Sequence, residues 1–113
     1  MKDFLIILRE PDGRLQPHDE LEVKAHRQRM GEWFQKHIQA GNIAGGNALS
    51  LSGKQIKGRD AQVVNEIHHV GTEIVGGYIL LKATNLDDAV TIMRSFPVYE
   101  FDGYAEIREL MQT

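Results

Sequence analysis

Histidine and arginine are the side chains of this 113-residue chain that are best suited to catalysis or ligand binding. The chain has five histidines and no cysteine. The absence of cysteine excludes disulfides, thiolate nucleophiles and cysteine-based zinc sites. His26 lies in a helix-like segment beside Arg27 and Arg29. As a general base it would need a partner that sets its tautomer. The alternative, which we favour, is a histidine on the helix surface.

The adjacent histidines His68 and His69 are the second unusual feature. Neighbouring residues of an extended strand point to opposite sides, so this pair cannot readily bind one metal ion. A third ligand such as His26, Glu66 or Glu73 would be needed, and the spacing matches no recognised zinc motif. We therefore favour a polar loop or pocket lining, and we expect neither a metal nor an organic cofactor.

Trp33 and Arg108 are the remaining candidates for contact with a ligand. Trp33 has helical spacing to other aromatic side chains, which would suit a ligand cage but is more often a core or dimer contact. Arg108 and Arg9 are predicted on strands that share a sheet surface, where structural pairing with a carboxylate such as Glu106 is the favoured interpretation. The alternative is that one arginine holds a ligand carboxylate or phosphate through two hydrogen bonds. The ligand-binding candidates are thus Trp33, His68 and Arg108.

Two glycine pairs, at 45–46 and 76–77, lie in predicted strands. Neither pair has the spacing of a phosphate-binding loop. Glycine within a strand indicates a bulge or a close approach of two backbones. We expect both pairs to shape the sheet and not to bind phosphate.

Composition limits the class of protein. Apolar residues make up 42% of the chain and charged residues 26%, which predicts a single globular domain over 1–113. The formal net charge is −3 and the basic residues are scattered, which argues against a nucleic-acid partner. The longest apolar runs are strand-sized, too short for a membrane span, and we see no secretory signal. A cytoplasmic protein is the expectation.

The first part of the chain is predicted to form a strand and a long helix. The continuous apolar run over 4–9 indicates a strand covered on both faces. A helix is predicted over 20–40, after a polar loop over 14–19. Residues three and four apart give this helix one buried stripe, formed by Val23, Arg27, Met30, Phe34 and Ile38. Gly41 suits the left-handed position that follows a helix.

The middle of the chain is predicted to add three strands. Strands are expected over 43–51 and 55–57, joined by a tight turn. The length and polarity of 58–71 are typical of a mobile crossover loop. The main strand is then predicted over 73–83.

The last part of the chain is predicted to form a helix and a closing strand. Asn85 suits the N-cap of a helix that runs to Phe96, and Pro97 enforces its end. The alternating segment 104–110 predicts a half-buried strand. The order β-α-β-β-β-α-β is that of an α+β ferredoxin-like sandwich. Because the helices cover one face of such a sheet, we expect a homodimer to cover the other.

The order of elements and several short motifs resemble the YCII-related domain family, small bacterial proteins with a dimeric α+β barrel fold. The motifs that carry the resemblance are Met30, Trp33 and Gly41-Asn42-Ile43, then Glu73-Ile74-Val75-Gly76-Gly77-Tyr78, then Leu86-Asp87-Asp88-Ala89, and then Pro97 with Ala105-Glu106-Ile107-Arg108. The family's Asp-Gly-Pro-Phe segment is absent, since Asn65-Glu66-Ile67-His68 stands in its place. The His–Asp pair of another branch is absent too, because its positions fall near Met30 and Ser95-Phe96. The resemblance therefore implies the fold and the dimer without that catalytic pair.

Three hypotheses about function follow. In the first, the protein binds a small anionic or aromatic molecule in a cleft between the first helix and the sheet. In the second, it is an enzyme of lyase or isomerase type with His26 or His68 as the proton shuttle. In the third, it is a regulatory or assembly module without a small ligand, and the dimer surface is its function.

Overall fold

The computed structural model describes residues 1–14 and 18–112, and its framework is a four-stranded antiparallel sheet with two α-helices. In chain order the elements are β1 (Lys2–Pro11), α1 (Glu20–Gln39), β2 (Ile43–Ala48), β3 (Gln55–Lys57), β4 (Gln62–Val64), β5 (Glu73–Ala83), α2 (Leu86–Met93), a 3-10 helix (Pro97–Phe101) and β6 (Tyr104–Glu109). The strands of the main sheet stand in the order β2, β5, β1, β6. The α+β class is confirmed. The loop predicted over 14–19 lies partly outside the described residues, at 15–17.

The two long strands β1 and β5 form the centre of the sheet and of the core. Phe4, Ile6 and Ile79 are completely buried, and Ile6 lies opposite both Ile79 and Ile107 across the strands. Because alternate residues of a strand point to opposite faces, these side chains share the face that the helices cover. The other face carries partly exposed Leu5, and we call it the open face.

Helix α1 packs on the core through Trp33 and His37, and the predicted buried stripe was wrong in part. The Trp33 ring lies 4.4 Å from that of His37 and 4.7 Å from that of Phe96. Its Nε1 donates a 2.9 Å hydrogen bond to the Ser95 hydroxyl. This one large side chain fixes the rotation of the helix, and two stripe positions are exposed as a result, Arg27 and Ile38.

The helix ends follow the sequence signals closely, with one correction. The Asn85 side chain accepts a 2.8 Å hydrogen bond from a first-turn amide of α2, and Gly41 adopts φ +82° after α1. Helix α2 ends at Met93, three residues before the predicted Phe96. Pro97 begins the 3-10 helix, where its missing N–H costs nothing. Neither helix in the described ranges is long and apolar enough to span a membrane.

The segment between β2 and β5, residues 49–72, forms a hairpin arm and not the predicted crossover loop. Strand β2 ends at Ala48, and β3 and β4 then pair with each other in a separate two-stranded sheet. The turn between them has positive φ at Gly58 and Ala61. Ile56 and Val63 lie opposite each other across the arm and remain 71% and 56% exposed. The arm therefore presents apolar surface to solvent.

Candidate functional site

A cavity of about 410 Å³ lies between α1 and the sheet, where the sequence predicted a cleft. Its helical wall is a row of side chains four residues apart, which brings them to one side of α1: His26, Met30, Phe34 and Ile38. The other wall comes mainly from the sheet and includes Leu8 and Glu10 of β1. The volume falls within the range of about 300–1,000 Å³ that is typical of small-molecule sites. We call this space the α1–sheet cavity.

Glycines allow β2 and β5 to form the floor of the cavity. Gly46 has φ +153°, and a Cβ there would lie 2.7 Å from the backbone oxygen of Tyr78. A Cβ at Gly77 would lie 3.0 Å from the backbone oxygen of Asn47. The close backbone approach that the sequence indicated for the glycine pairs is therefore present at both positions.

Glu10 supplies a carboxylate to the α1–sheet cavity from the end of β1. Its side chain lies over Gly76, where a Cβ would collide with the carboxylate, so the glycine leaves the space that the carboxylate occupies. Burial raises the pKa of Glu10, and the nearby charge of His26 acts in the opposite direction. Sequence reasoning missed Glu10 because it is one polar residue at the end of an apolar strand.

His26 is held in the same cavity by a carboxylate from the 3-10 helix. Its Nδ1 lies 3.0 Å from Oε2 of Glu100, and Arg29 donates hydrogen bonds of 2.7 Å to Oε1 and 2.6 Å to Oε2 of the same carboxylate. The hydrogen bonds from Arg29 and then from His26 lower the pKa of Glu100 to about 2. An ionised carboxylate only accepts, so Nδ1 carries a proton and Nε2 is left as the acceptor when the ring is neutral. His26 therefore has the orienting partner that general-base chemistry requires.

The other predicted site residues lie elsewhere. His68 lines a separate cavity of about 360 Å³ at the base of the arm, together with Arg9. Trp33 belongs to the core, and Arg108 is an exposed residue of β6, 3.3 Å from Glu106. The structure therefore does not bring His68, Trp33 and Arg108 together.

The arginine pairing predicted for the sheet surface is confirmed. Arg9 lies 3.5 Å from Glu106 and 3.7 Å from Glu73, and Tyr104 donates a 2.6 Å hydrogen bond to Glu73. Glu106 is shared with Arg108. Both arginines thus have carboxylate partners on the open face.

An ionic cluster that the sequence did not predict joins the arm to the end of β1. The Asp12 carboxylate is 1% exposed, accepts hydrogen bonds of 3.1 and 2.7 Å from Arg14, and lies 2.9 Å from Nε2 of His69. These bonds, with Arg14 as the main contributor, hold the pKa of Asp12 well below its usual range. Of the adjacent histidines, His69 therefore anchors the arm and His68 faces the second cavity.

No family model and no curated protein matches the chain. Within residues 1–14 and 18–112, no three His, Asp or Glu side chains group closely enough to hold a metal ion. The resemblance to the YCII-related family stays a prediction. The geometry of the α1–sheet cavity is the main basis for inferring function.

Proposed function

We propose that the protein binds a small aromatic or otherwise apolar molecule in the α1–sheet cavity. The observation that carries the proposal is the cavity's lining, in which Leu8, Met30 and Phe34 provide apolar surface around the polar groups of Glu10 and His26. Small-molecule sites combine largely apolar walls with a few polar groups that orient the ligand. An anionic ligand is less well supported, because the Glu10 carboxylate would repel it and the described lining of the cavity contains no arginine.

Filling the cavity with a side chain tests the proposal. Ala48 is an exposed residue on the cavity wall, so Ala48→Phe should obstruct the cavity without disturbing the buried core. Ala44→Phe, on the same strand but outside the cavity wall, is the matched control. A panel of small aromatic compounds should raise the unfolding temperature of the wild type and of the Ala44 variant, and should leave the Ala48 variant unchanged. Equal shifts in all three proteins, or no shift in the wild type, would refute binding at this site.

Proton-transfer catalysis of lyase or isomerase type is a second candidate function, because His26 and Glu10 face one cavity. His26 has an orienting carboxylate in Glu100. His68 lines the other cavity, so His26 is the better-supported proton shuttle. An enzyme of this type should give a bell-shaped pH–rate profile. Turnover should be lost in His26→Asn and kept in His68→Asn, and the reverse pattern would exclude this role for His26.

We also propose that the main sheet and its two helices have the ferredoxin-like arrangement, and that the chain is related to the YCII-related family. Strands β1, β2, β5 and β6 then form the four strands of a βαββαβ unit. Helices α1 and α2 are its two crossover helices. The arm is then an insertion between the second and third strands. The support is the antiparallel order β2, β5, β1, β6, in which each crossover joins strands separated by one other strand.

A homodimer that covers the open face is part of this proposal. The accessible surface is 8062 Å², against about 6,300 Å² for a folded monomer of 12.8 kDa. The excess is larger than the roughly 800 Å² that each partner buries in a standard interface. The radius of gyration is 15.6 Å, against about 13 Å for a globular domain of this length. The open face contributes Leu5 and Leu80, which lie opposite each other, and the arm contributes Ile56 and Val63.

Sedimentation velocity at micromolar concentration tests the dimer. The wild type should sediment with twice the chain mass, and its unfolding temperature should rise with protein concentration. Leu80→Glu should give single chains, whereas Leu21→Glu, at a 77% exposed position on α1, should not. A monomeric wild type would refute the dimer. A dimer that binds no compound would favour the regulatory or assembly module instead.

A further inference from the structure

The α1–sheet cavity contains a carboxylate, that of Glu10, with no partner in the part of the chain that the structure describes. No described residue forms a hydrogen bond or an ion pair with Glu10, and only burial and the charge of His26 influence its ionisation. Partly buried carboxylates are normally satisfied, because an unpaired one loses its hydration without compensation. Glu10 is therefore a partly buried acceptor that no described protein group satisfies.

His26 does not supply the missing donor. Its Nδ1 is hydrogen-bonded to the Glu100 carboxylate, 3.0 Å away, and Arg29 binds the same carboxylate. The ring also packs against Phe101, with centroids 4.5 Å apart. These contacts hold His26 beside Glu10 as a neighbour and keep its position fixed. The Glu10 carboxylate is therefore open to a donor from solvent or from a molecule that enters the cavity.

We infer that the ligand carries a protonated amine on an aromatic or apolar body, and that Glu10 binds the amine. The inference rests on the proposed binding function and adds the chemical class of the ligand. An ammonium group donates charge-assisted hydrogen bonds to a carboxylate, which are stronger than neutral ones. The body of the ligand would pack on Met30 and Phe34 of α1. Gly76 takes part because any side chain there would displace the carboxylate.

The pH dependence of binding separates an amine from an anion. Among the described residues the titratable side chain beside Glu10 is His26 on α1, with Glu100 and Arg29 behind it. An ionised Glu10 and a neutral His26 both favour a cation. Because burial raises the pKa of Glu10, its carboxyl ionises at a higher pH than an exposed one, and the affinity for an amine should rise with pH through that ionisation. The affinity for a carboxylate ligand should fall over the same pH range.

Titrations of the full chain with benzylamine, benzyl alcohol and benzoate, followed by NMR chemical shifts, test the inference. Benzylamine should bind more tightly than the other two probes. Glu10→Gln should weaken benzylamine binding by about 10-fold to 100-fold, the range for a hydrogen bond to a charged group. It should change benzyl alcohol binding much less. Glu32→Gln, an exposed carboxylate of α1 outside the cavity wall, is the matched control and should bind as the wild type does.

A second variant keeps the test decisive. Gly76→Ala retains the carboxylate but displaces it, so it should also lose the preference for benzylamine. If benzyl alcohol binds and Glu10→Gln leaves benzylamine affinity unchanged, the inference is overturned and the binding function stands. Tighter binding of benzoate than of benzylamine overturns it as well. If none of the probes perturbs the cavity residues, both the inference and the binding function lose their support.

Discussion

Replacing His37 by leucine should stabilise the protein. The His37 side chain is 9% exposed, and both of its ring nitrogens are buried without a hydrogen-bond partner among the described residues. Its ring packs against Trp33 at 4.4 Å, so the position is apolar in character. A buried polar group left unsatisfied costs roughly 1–3 kcal/mol. Leucine has a similar volume and removes both nitrogens.

The expected gain is about 1–2 kcal/mol in the free energy of unfolding, since leucine packs less well on the Trp33 ring and part of the benefit is lost. Unfolding entropy of about 2.1 cal/mol/K per residue, over 113 residues, converts 1 kcal/mol to about 4 °C in unfolding temperature. We therefore expect the unfolding temperature to rise by about 4–8 °C.

Thermal and urea unfolding followed by circular dichroism measure this gain. His37→Gln is the matched control, because glutamine has a helix propensity close to that of leucine but keeps polar atoms that need partners. The glutamine variant should be no more stable than the wild type. A leucine variant that gains no stability, or a glutamine variant that gains as much, would show that the ring nitrogens carry no such cost.

Three further substitutions test the ionic clusters and the cavity floor. Asp12→Asn should lower the unfolding temperature at pH 7. Because folding depresses the pKa of Asp12, its stabilisation is present above the ordinary pKa of about 3.9 and is lost as the pH falls, so the difference from wild type should shrink below pH 4. Glu100→Gln should behave likewise, with its difference closing as the pH falls from about 4.3 towards the folded-state pKa of about 2. A Glu100 difference as large at pH 2 as at pH 7 would contradict that assignment, and so would an Asp12 difference that does not shrink at all below pH 4. Gly46→Ala should destabilise by roughly 1–3 kcal/mol, because alanine is strained at φ +153°. Gly45→Ala, whose Cβ would lie 3.5 Å from a leucine methyl, should cost less, and equal costs would argue against strain at Gly46.

Elements with a strong local pattern could be predicted from the sequence, and elements set by distant contacts could not. The predicted bounds of β5, 73–83, match the structure because a long apolar run is enclosed by polar segments. The start of α1 at Glu20 matches too. The buried face of that helix was misjudged, because it depends on a hydrogen bond between Trp33 and Ser95, 62 positions later. The hydrophobic periodicity of a helix carries no information about a contact so distant in the sequence.

The candidate site was predictable only in part, for the same reason. His26 stood out by residue type, but its partner Glu100 is 74 positions away in the 3-10 helix. Glu10 gave no signal, since its burial depends on how α1 lies over the glycine at 76. Strand β4 was missed, because the length and polarity of 58–71 predicted a loop, and its pairing with β3 requires the tight turn at 58–61. The residue types indicated which side chains are capable of chemistry. Which of these side chains lie close together depends on the tertiary structure.

The tip of the arm offers a place to attach a reporter. Arg59 and Asp60 are exposed at a turn that lines neither of the two cavities discussed above. Exposed loop tips tolerate inserted sequence better than any other part of a domain. A short epitope or a fluorescent dye introduced between these residues should leave the cavity beneath α1 intact. Energy transfer between two differently labelled copies would then measure how far apart their tips are.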